Sequence, residues 1–482
     1  MTHYDDPAWQ IAMRVRFDFN HLMAEVIGEA HGFSAAELEG HAAEAQGALA
    51  AVQAQRAAGG LRWMALPYQE QEQKPEFDRL LATAAEVRGR FKNFVVLGIG
   101  GSALGTIALK SALLHPYYNE LPAERRGGPR LYVLDNIDPD WLVGLLDVLD
   151  PAETCFNVIT KSGDTAETMS QFLWARELLI ERLGPERYRQ NVIATTDAAK
   201  GSLRPLVTRE GFTSFVVPDG VGGRFSVLSP VGLLAAAVVG IDVRELLAGA
   251  AYADRISQTP YLWQNAALMY ALTQYLAYRR GKPLSVMMPY AQGLREIADW
   301  YAQLWAESLG KETDRAGRVI NVGPTPIKAL GATDQHSQVQ LYIAGPHDKI
   351  FTFVTVGAFK RTLSIPTWQT GQGAVDYLAG HTFNELLAAE AEGTALALAE
   401  AGRPNATFRL PEVNAFTVAQ LLYLLEVATA ISGELYDINA FDQPGVEAGK
   451  VRAYALLGRS GYEAQRAAIE ARRERRKARY EI

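Results

Sequence analysis

The chain has 482 residues, of which 48% are hydrophobic, 21% charged and 10% aromatic, a composition that excludes disordered and fibrous classes. At roughly 150 residues per domain, this length accommodates about three units, or two large ones with accessory helices. The formal net charge of −7 argues against a general polyanion binder, so no nucleic-acid partner is expected.

Met1-Thr2-His3-Tyr4-Asp5-Asp6-Pro7 lacks the basic and apolar regions of a secretory signal, which predicts a cytoplasmic protein. The first ninety residues read as helices. Ser34-Ala35-Ala36-Glu37 has the pattern of a capping box, and the alanine-rich run behind it stops at Gly59-Gly60. Short β-branched runs then alternate with helical stretches, at 94–97, 131–134, 156–160, 192–195 and 215–217. Continuous apolar strands between helices predict a parallel sheet covered on both faces, a doubly wound α/β unit. Cys155, the only cysteine, starts one of these runs and reads as buried packing; alone it excludes an intrachain disulfide and a cysteine zinc site.

The longest uninterrupted apolar run, 231–241, is shorter than the roughly 20 residues of a membrane helix, so no span is expected. Further strands are expected at 284–288, 318–322 and 350–356, among helices near 291–309, 335–344 and 383–401. The last helices are expected near 413–432, 446–457 and 463–479. The division is therefore an N-terminal helical segment, 1–84; a first α/β domain with connecting helices, 85–279; a second, 280–440; and C-terminal helices, 441–482. The final twenty residues carry seven cations against four acids, so the rest of the chain is near −10. No aromatic platform accompanies that basic tail, and its role is not legible.

Two loops carry chemistry. The first strand of the α/β region runs into Gly98-Ile99-Gly100-Gly101-Ser102-Ala103-Leu104-Gly105 and then a helix. Glycines at a strand-to-helix turn let the backbone approach an anion, whose charge the helix N-terminus favours. The spacing also fits a loose dinucleotide fingerprint, but the acid ending the next strand, Asp135, lies farther on than that fingerprint requires. The second loop is Thr160-Lys161-Ser162-Gly163-Asp164-Thr165, whose hydroxyls, ammonium and amides suit a compact phosphate. Two such loops at neighbouring strand ends predict a handle for a small phosphomonoester.

Next comes Asp219-Gly220-Val221-Gly222-Gly223-Arg224-Phe225-Ser226, and far downstream Gly433-Glu434-Leu435-Tyr436 followed by Phe441-Asp442-Gln443-Pro444-Gly445-Val446-Glu447-Ala448-Gly449-Lys450. With both glycine and hydroxyl loops, Glu307-Ser308-Leu309-Gly310-Lys311 and Asp334-Gln335-His336-Ser337 in the same order, the chain resembles the phosphoglucose isomerase family over about 90–455. Leu309 and Ala103 give the resemblance a bacterial cast. Gly163 and Asp164 depart from the family's phosphate loop.

The resemblance implies two sugar-isomerase (SIS) type domains, a homodimer, and metal-independent interconversion of glucose 6-phosphate and fructose 6-phosphate in glycolysis and gluconeogenesis, with no cofactor. It assigns proton transfer through a cis-enediol to Glu307, and stabilisation of the enediolate to Arg224. Ring opening falls to His336 and Lys450, in an order the sequence does not assign, with His336 reaching the partner's site. Substrate and phosphate binding fall to Gly101, Ser102, Thr160, Lys161, Ser162, Thr165, Gly223 and Gln303. Gln303 and Glu307 are four apart on one helical stretch and share a face. The eight histidines include no H-x-H or H-E-x-x-H arrangement, so no metal ligand set is visible. Taken singly, Glu307 reads as a solvated surface group, Arg224 as a structural salt bridge, His336 as a packing residue and Lys450 as half of an ion pair with Glu447. A sugar-phosphate sensor that lost catalysis, an enzyme also accepting mannose 6-phosphate, and the isomerase part of a transaldolase fusion remain alternatives.

Overall fold

A computed structural model describes residues 2–480; Met1 and Glu481, which entered the readings of the N-terminus and the basic tail, lie outside the described residues. The region expected to be wholly helical also contains a strand, β1 (Arg16–Asp18). The first sheet comprises β2 (Asn93–Leu97), β3 (Arg130–Leu134), β4 (Thr154–Thr160), β5 (Val192–Thr196) and β6 (Thr213–Val216), in the order β3-β2-β4-β5-β6 with every pairing parallel. Strands β2, β4 and β5 are buried along their whole length. The alternation of a pleated strand splits β2 between two cores: Phe94 and Val96 join one, Val95 and Leu97 the other. That is the physical content of a doubly wound sheet, and it agrees with the α/β class expected.

The second region adds β7 (Leu284–Pro289), β8 (Lys311–Thr313), β9 (Val319–Val322), β10 (Thr325–Lys328), β11 (Lys349–Ala358) and β12 (Asn405–Glu412). Its main sheet has the order β1-β12-β11-β7-β10, parallel except for β1 against β12. Again the faces divide, with Met287 in the large central core and Val286 and Met288 in a separate one. The stretch expected at 318–322 as part of this sheet instead pairs β9 with β8 in a small antiparallel ribbon. Strand β12 was not anticipated because Arg409 and Pro411 interrupt its apolar run; Arg409 turns outward and donates to Asp18 of β1 at 2.6 Å.

Helix Ala415–Leu435 is long and apolar enough to cross a membrane by length and composition, yet its apolar window is entirely buried in the protein. It packs on helices Val243–Ser257, Ala266–Arg279, Ala42–Ala57 and Arg295–Leu309, and so ties both sheets to the N-terminal helices. Thr417, Gln420, Glu426 and Thr429 break its apolar run, which is why the sequence showed no candidate span there. Of the expected capping box, only half forms: Ser34 accepts from Glu37 N at 3.0 Å, while the Glu37 carboxylate pairs with Arg280.

Candidate active site

Strand order reverses between β2 and β4, and both polar loops leave the carboxyl ends of those two strands, the place where open α/β sheets hold ligands. Beyond β4, Thr160 Oγ1 lies 2.9 Å from Thr165 Oγ1, and Ser162 Oγ lies 3.2 Å from the same atom. Three hydroxyls thus cluster at the start of helix Ala166–Leu183. Asp164 faces elsewhere: its carboxylate accepts from Ser202 N at 3.3 Å and from the Ser202 hydroxyl. Gly163 permits this turn, with φ at +71° and a Cβ position only 2.8 Å from Ser202 N. Lys161 Nζ donates to Val221 O at 2.8 Å, which ties this loop to the segment leading to Arg224.

The β2 loop is fastened to the same segment by the absence of side chains. A Cβ on Gly101 would stand 2.5 Å from Gly223 O and 2.7 Å from Arg224 N, so only glycine permits this approach. Gly100, at φ +56°, faces the Gln303 amide, whose Nε2 would lie 3.0 Å from an added Cβ. Both glycines of this turn thus sit against protein, Gly101 against the Gly223 backbone and Gly100 against the Gln303 amide. Ser102 ends the short helical turn Gly100–Ser102 at the foot of helix Leu104–Leu113.

Helix Arg295–Leu309 buries Tyr301, Leu304, Trp305, Ser308 and Leu309, leaving Gln303 and Glu307 on a half-buried edge. Gln303 Nε2 donates to Glu307 Oε2 at 2.9 Å, and Arg224 Nη1 stands 3.5 Å from Glu307 Oε1. The Arg224 side chain is 3% exposed, and its other donors are committed. Nε donates to Ser308 Oγ at 2.7 Å, Nη2 to Ala440 O at 2.6 Å and Asp442 O at 3.2 Å, and Nη1 also to Gln443 Oε1 at 3.1 Å. Burial lowers its pKa, opposed by Glu307 and Asp442, and the guanidinium stays charged.

Lys311, Ser308 and Gln443 complete the site and were not singled out, although all three lie within the quoted motifs. Lys311 Nζ donates to Glu307 O at 2.8 Å and Ser308 O at 2.9 Å, a cation on the last carbonyls of the helix. Burial first, then the Arg224 charge, pulls its pKa below the usual lysine range. The signal that could have found it is its four-residue spacing from Glu307 at a helix end. His336 and Lys450 are not brought to this cluster within one protomer. His336 is exposed on helix Thr333–Ser337, and Lys450, on helix Glu447–Leu456, donates to Glu447 Oε1 at 2.9 Å. Among the described residues, no hydrogen bond or ion pair connects either with Glu307 or Arg224. Cys155 is fully buried and its thiol pKa is raised by burial, as expected of inert packing.

A carboxylate faced by an amide and a guanidinium, in an α/β fold whose sheet switch point carries a cluster of hydroxyls, is the candidate site this structure presents. The chain belongs to the phosphoglucose isomerase family, which it matches over residues 82–468. It is 49% identical over 459 residues to glucose-6-phosphate isomerase of Carboxydothermus hydrogenoformans, covering 94% of this chain and 97% of that one. With the enzyme of the same name from Rubrobacter xylanophilus it is 48% identical over 404 residues, 82% and 91% of the two chains. Among solved structures, a hypothetical protein from Thermus thermophilus aligns with a TM-score of 0.81 at 39% identity, over 92% of this chain and all of the other. A glucose-6-phosphate isomerase from Chlamydia trachomatis aligns at 0.71 and 26% identity, over 83% and 76%.

Proposed function

We propose that this chain is a glucose-6-phosphate isomerase, interconverting glucose 6-phosphate and fructose 6-phosphate through ring opening and a cis-enediol(ate), in glycolysis and gluconeogenesis. The observation that carries this reading is the Glu307 carboxylate, fixed by Gln303 and faced by Arg224 Nη1. Glu307 takes the proton from C2 of the open aldose and returns it to C1 as the carbonyl moves. A positioned base of this kind contributes about 10² to 10⁴ in rate. The enediolate oxygen that gains charge lies on the Arg224 Nη1 side, where a buried cation stabilises it more than the neutral substrate. The reaction conserves redox state and needs no cofactor. The hydroxyls of Ser102, Thr160, Ser162 and Thr165, with Lys161, hold the phosphate; the Gly101 and Gly223 backbone shapes that wall.

Ring opening is assigned to His336 and Lys450, one protonating the ring oxygen and the other removing the hydroxyl proton. His336 acts in the site of the second subunit of a homodimer, which agrees with its distance from the cluster in a single protomer. Leu363, Trp368 and Tyr377, large apolar side chains from one stretch of chain, are 61%, 77% and 67% exposed in the single protomer. The protein works in the cytoplasm, apart from membranes and nucleic acid. Replacement Glu307→Gln tests the assignment: exchange of the C2 proton with deuterated solvent is expected to stop, and exchange that persists at the wild-type rate refutes it. Specific activity is expected to fall on dilution through the dimer dissociation constant; a verified monomer with full activity refutes the shared site.

A further inference from the structure

Away from the catalytic cluster, three turns at the amino ends of β7, β11 and β12 meet a loop from the N-terminal segment. Each brings a basic side chain: Lys282, His347, Arg403 and, from residues 28–33, His31. The two imidazoles stack with centroids 4.4 Å apart and planes at 17°. Gly402 leaves room for this, since a Cβ there would run into the His31 ring.

The charges around the rings do not balance. Lys282 is buried and donates to His347 O at 2.9 Å, a backbone carbonyl and not a carboxylate. Arg403, 4% exposed, places Nη2 on the carbonyls of Ile343 and Gly345, at the end of helix Val339–Ala344. Its Nε and Nη1 are buried without any acceptor. The nearby acids are engaged elsewhere, Asp348 with Lys349 and Glu37 with Arg280. Two cationic side chains therefore stand without a carboxylate in ion-pair contact, Asp348 acting on both only through space, beside two ring systems that can each donate N–H. Burial lowers the pKa of both histidines, and the charges of Lys282 and Arg403 add to the effect, so the rings are neutral near pH 7. His347 is exposed and His31 partly so, which makes the imidazoles the accessible part of the cluster.

We propose that this cluster binds a tetrahedral dianion of the phosphate class, gripped by the His31 and His347 imidazoles with Lys282 and Arg403 supplying the counter-charge. The two cations match a dianion in charge from behind the rings, and the ring N–H groups suit its oxygens. Binding favours the protonated rings, so affinity rises as pH falls. The groups that set this dependence are Lys282, Arg280 and Arg403 against Asp348 and Glu37; Lys349 is held by Asp348.

The test uses the full-length protein with histidine-selective NMR, sulfate as a probe of constant charge, and inorganic phosphate as competitor, at constant ionic strength. Signals of His31 and His347, assigned by their loss in His31→Gln and His347→Gln, should move saturably. Affinity should tighten about tenfold for each pH unit the ring pKa values rise on binding. His347→Gln should weaken sulfate binding read at His31 by about tenfold and leave isomerase turnover unchanged, and Lys282→Met should weaken it similarly. Signals that do not move, that follow chloride equally, or that respond to protein concentration instead of sulfate overturn the proposal; the last would indicate contact between copies of the chain.

Discussion

Replacing Gly101 with alanine puts the proposed catalytic geometry under a measurable strain. The new Cβ would sit 2.5 Å from Gly223 O and 2.7 Å from Arg224 N, and ordinary contact begins at 3.4 Å. All of these neighbours are backbone, the nearest being Gly223 C at 2.2 Å, so no rotamer change relieves the overlap, and the Gly223–Phe225 turn must retreat by about 1 Å or slightly more. That turn aims Arg224 Nη1 at Glu307, and a misplacement of about 1 Å costs roughly 10² in rate. Overpacking of this kind costs about 1–3 kcal/mol in stability, which leaves most of a typical domain's margin. Coupled steady-state assays of fructose 6-phosphate conversion should therefore show kcat down about a hundredfold in a folded protein. Gly105→Ala serves as control: its Cβ meets the Val227 side chain at 2.9 Å, so it should cost stability with a much smaller change in kcat. A Gly101→Ala enzyme with wild-type kcat refutes the argument that this glycine positions Arg224.

Asp254, 1% exposed, accepts from Arg56 at 2.7 and 3.0 Å, from Tyr68 at 2.5 Å and from Tyr423 at 2.8 Å. Asp254→Asn should cost about 3 kcal/mol in urea unfolding, at the low end for a broken buried pair because Arg56 retains some solvent; a loss below about 1 kcal/mol contradicts that. Glu426 is buried with Oε1 unpartnered, and burial raises its pKa well above the usual carboxylate range. The folded state then holds a proton that the unfolded state releases, so stability is lost as pH rises from the ordinary carboxylate range through the folded pKa. Glu426→Met should flatten Tm against pH over that window, and parallel profiles for the two proteins refute the assignment. Arg224→Lys keeps a charge but abandons Ser308 Oγ and Ala440 O; at about 1–3 kcal/mol for each buried group left unpaired, a fall in unfolding free energy of several kcal/mol should accompany loss of turnover.

The first sheet was legible because its interior strands are buried on both faces, which forces the continuous apolar runs seen at Phe94 to Leu97 and Phe156 to Thr160. Strand β12 escaped for the opposite reason: its neighbour β1 leaves one side chain in two free to be polar, and Arg409 looks like a loop residue until Asp18 is placed beside it. At the site, Glu307, Gln303 and Arg224 stand together as their motifs imply. The commitment of Arg224 to Ser308, Ala440, Asp442 and Gln443 is different in kind, since those partners are brought in by folding across 84 to 219 positions of sequence. Two of its acceptors are backbone carbonyls, which no residue identity announces.

Those carbonyls also explain why a buried arginine stands here and not a lysine. Beyond Gln443 the chain leaves the body as exposed helices, first the one that carries Lys450. Arg224 and Lys311 fasten the segment before that departure, from buried Ala440 to exposed Gln443, to the end of the helix that carries Glu307. A forked, rigid guanidinium serves a carboxylate, a hydroxyl, an amide and two carbonyls at once, where an ammonium reaches three acceptors at most. The side chain that polarises the reaction in the proposed mechanism is thereby the one that sets where the C-terminal segment starts. The structural salt bridge and the proposed catalytic cation, alternatives when Arg224 is read alone, are compatible in one arrangement: Nε and Nη2 are spent on holding the fold, and Nη1 is shared between Gln443 Oε1 and the Glu307 carboxylate.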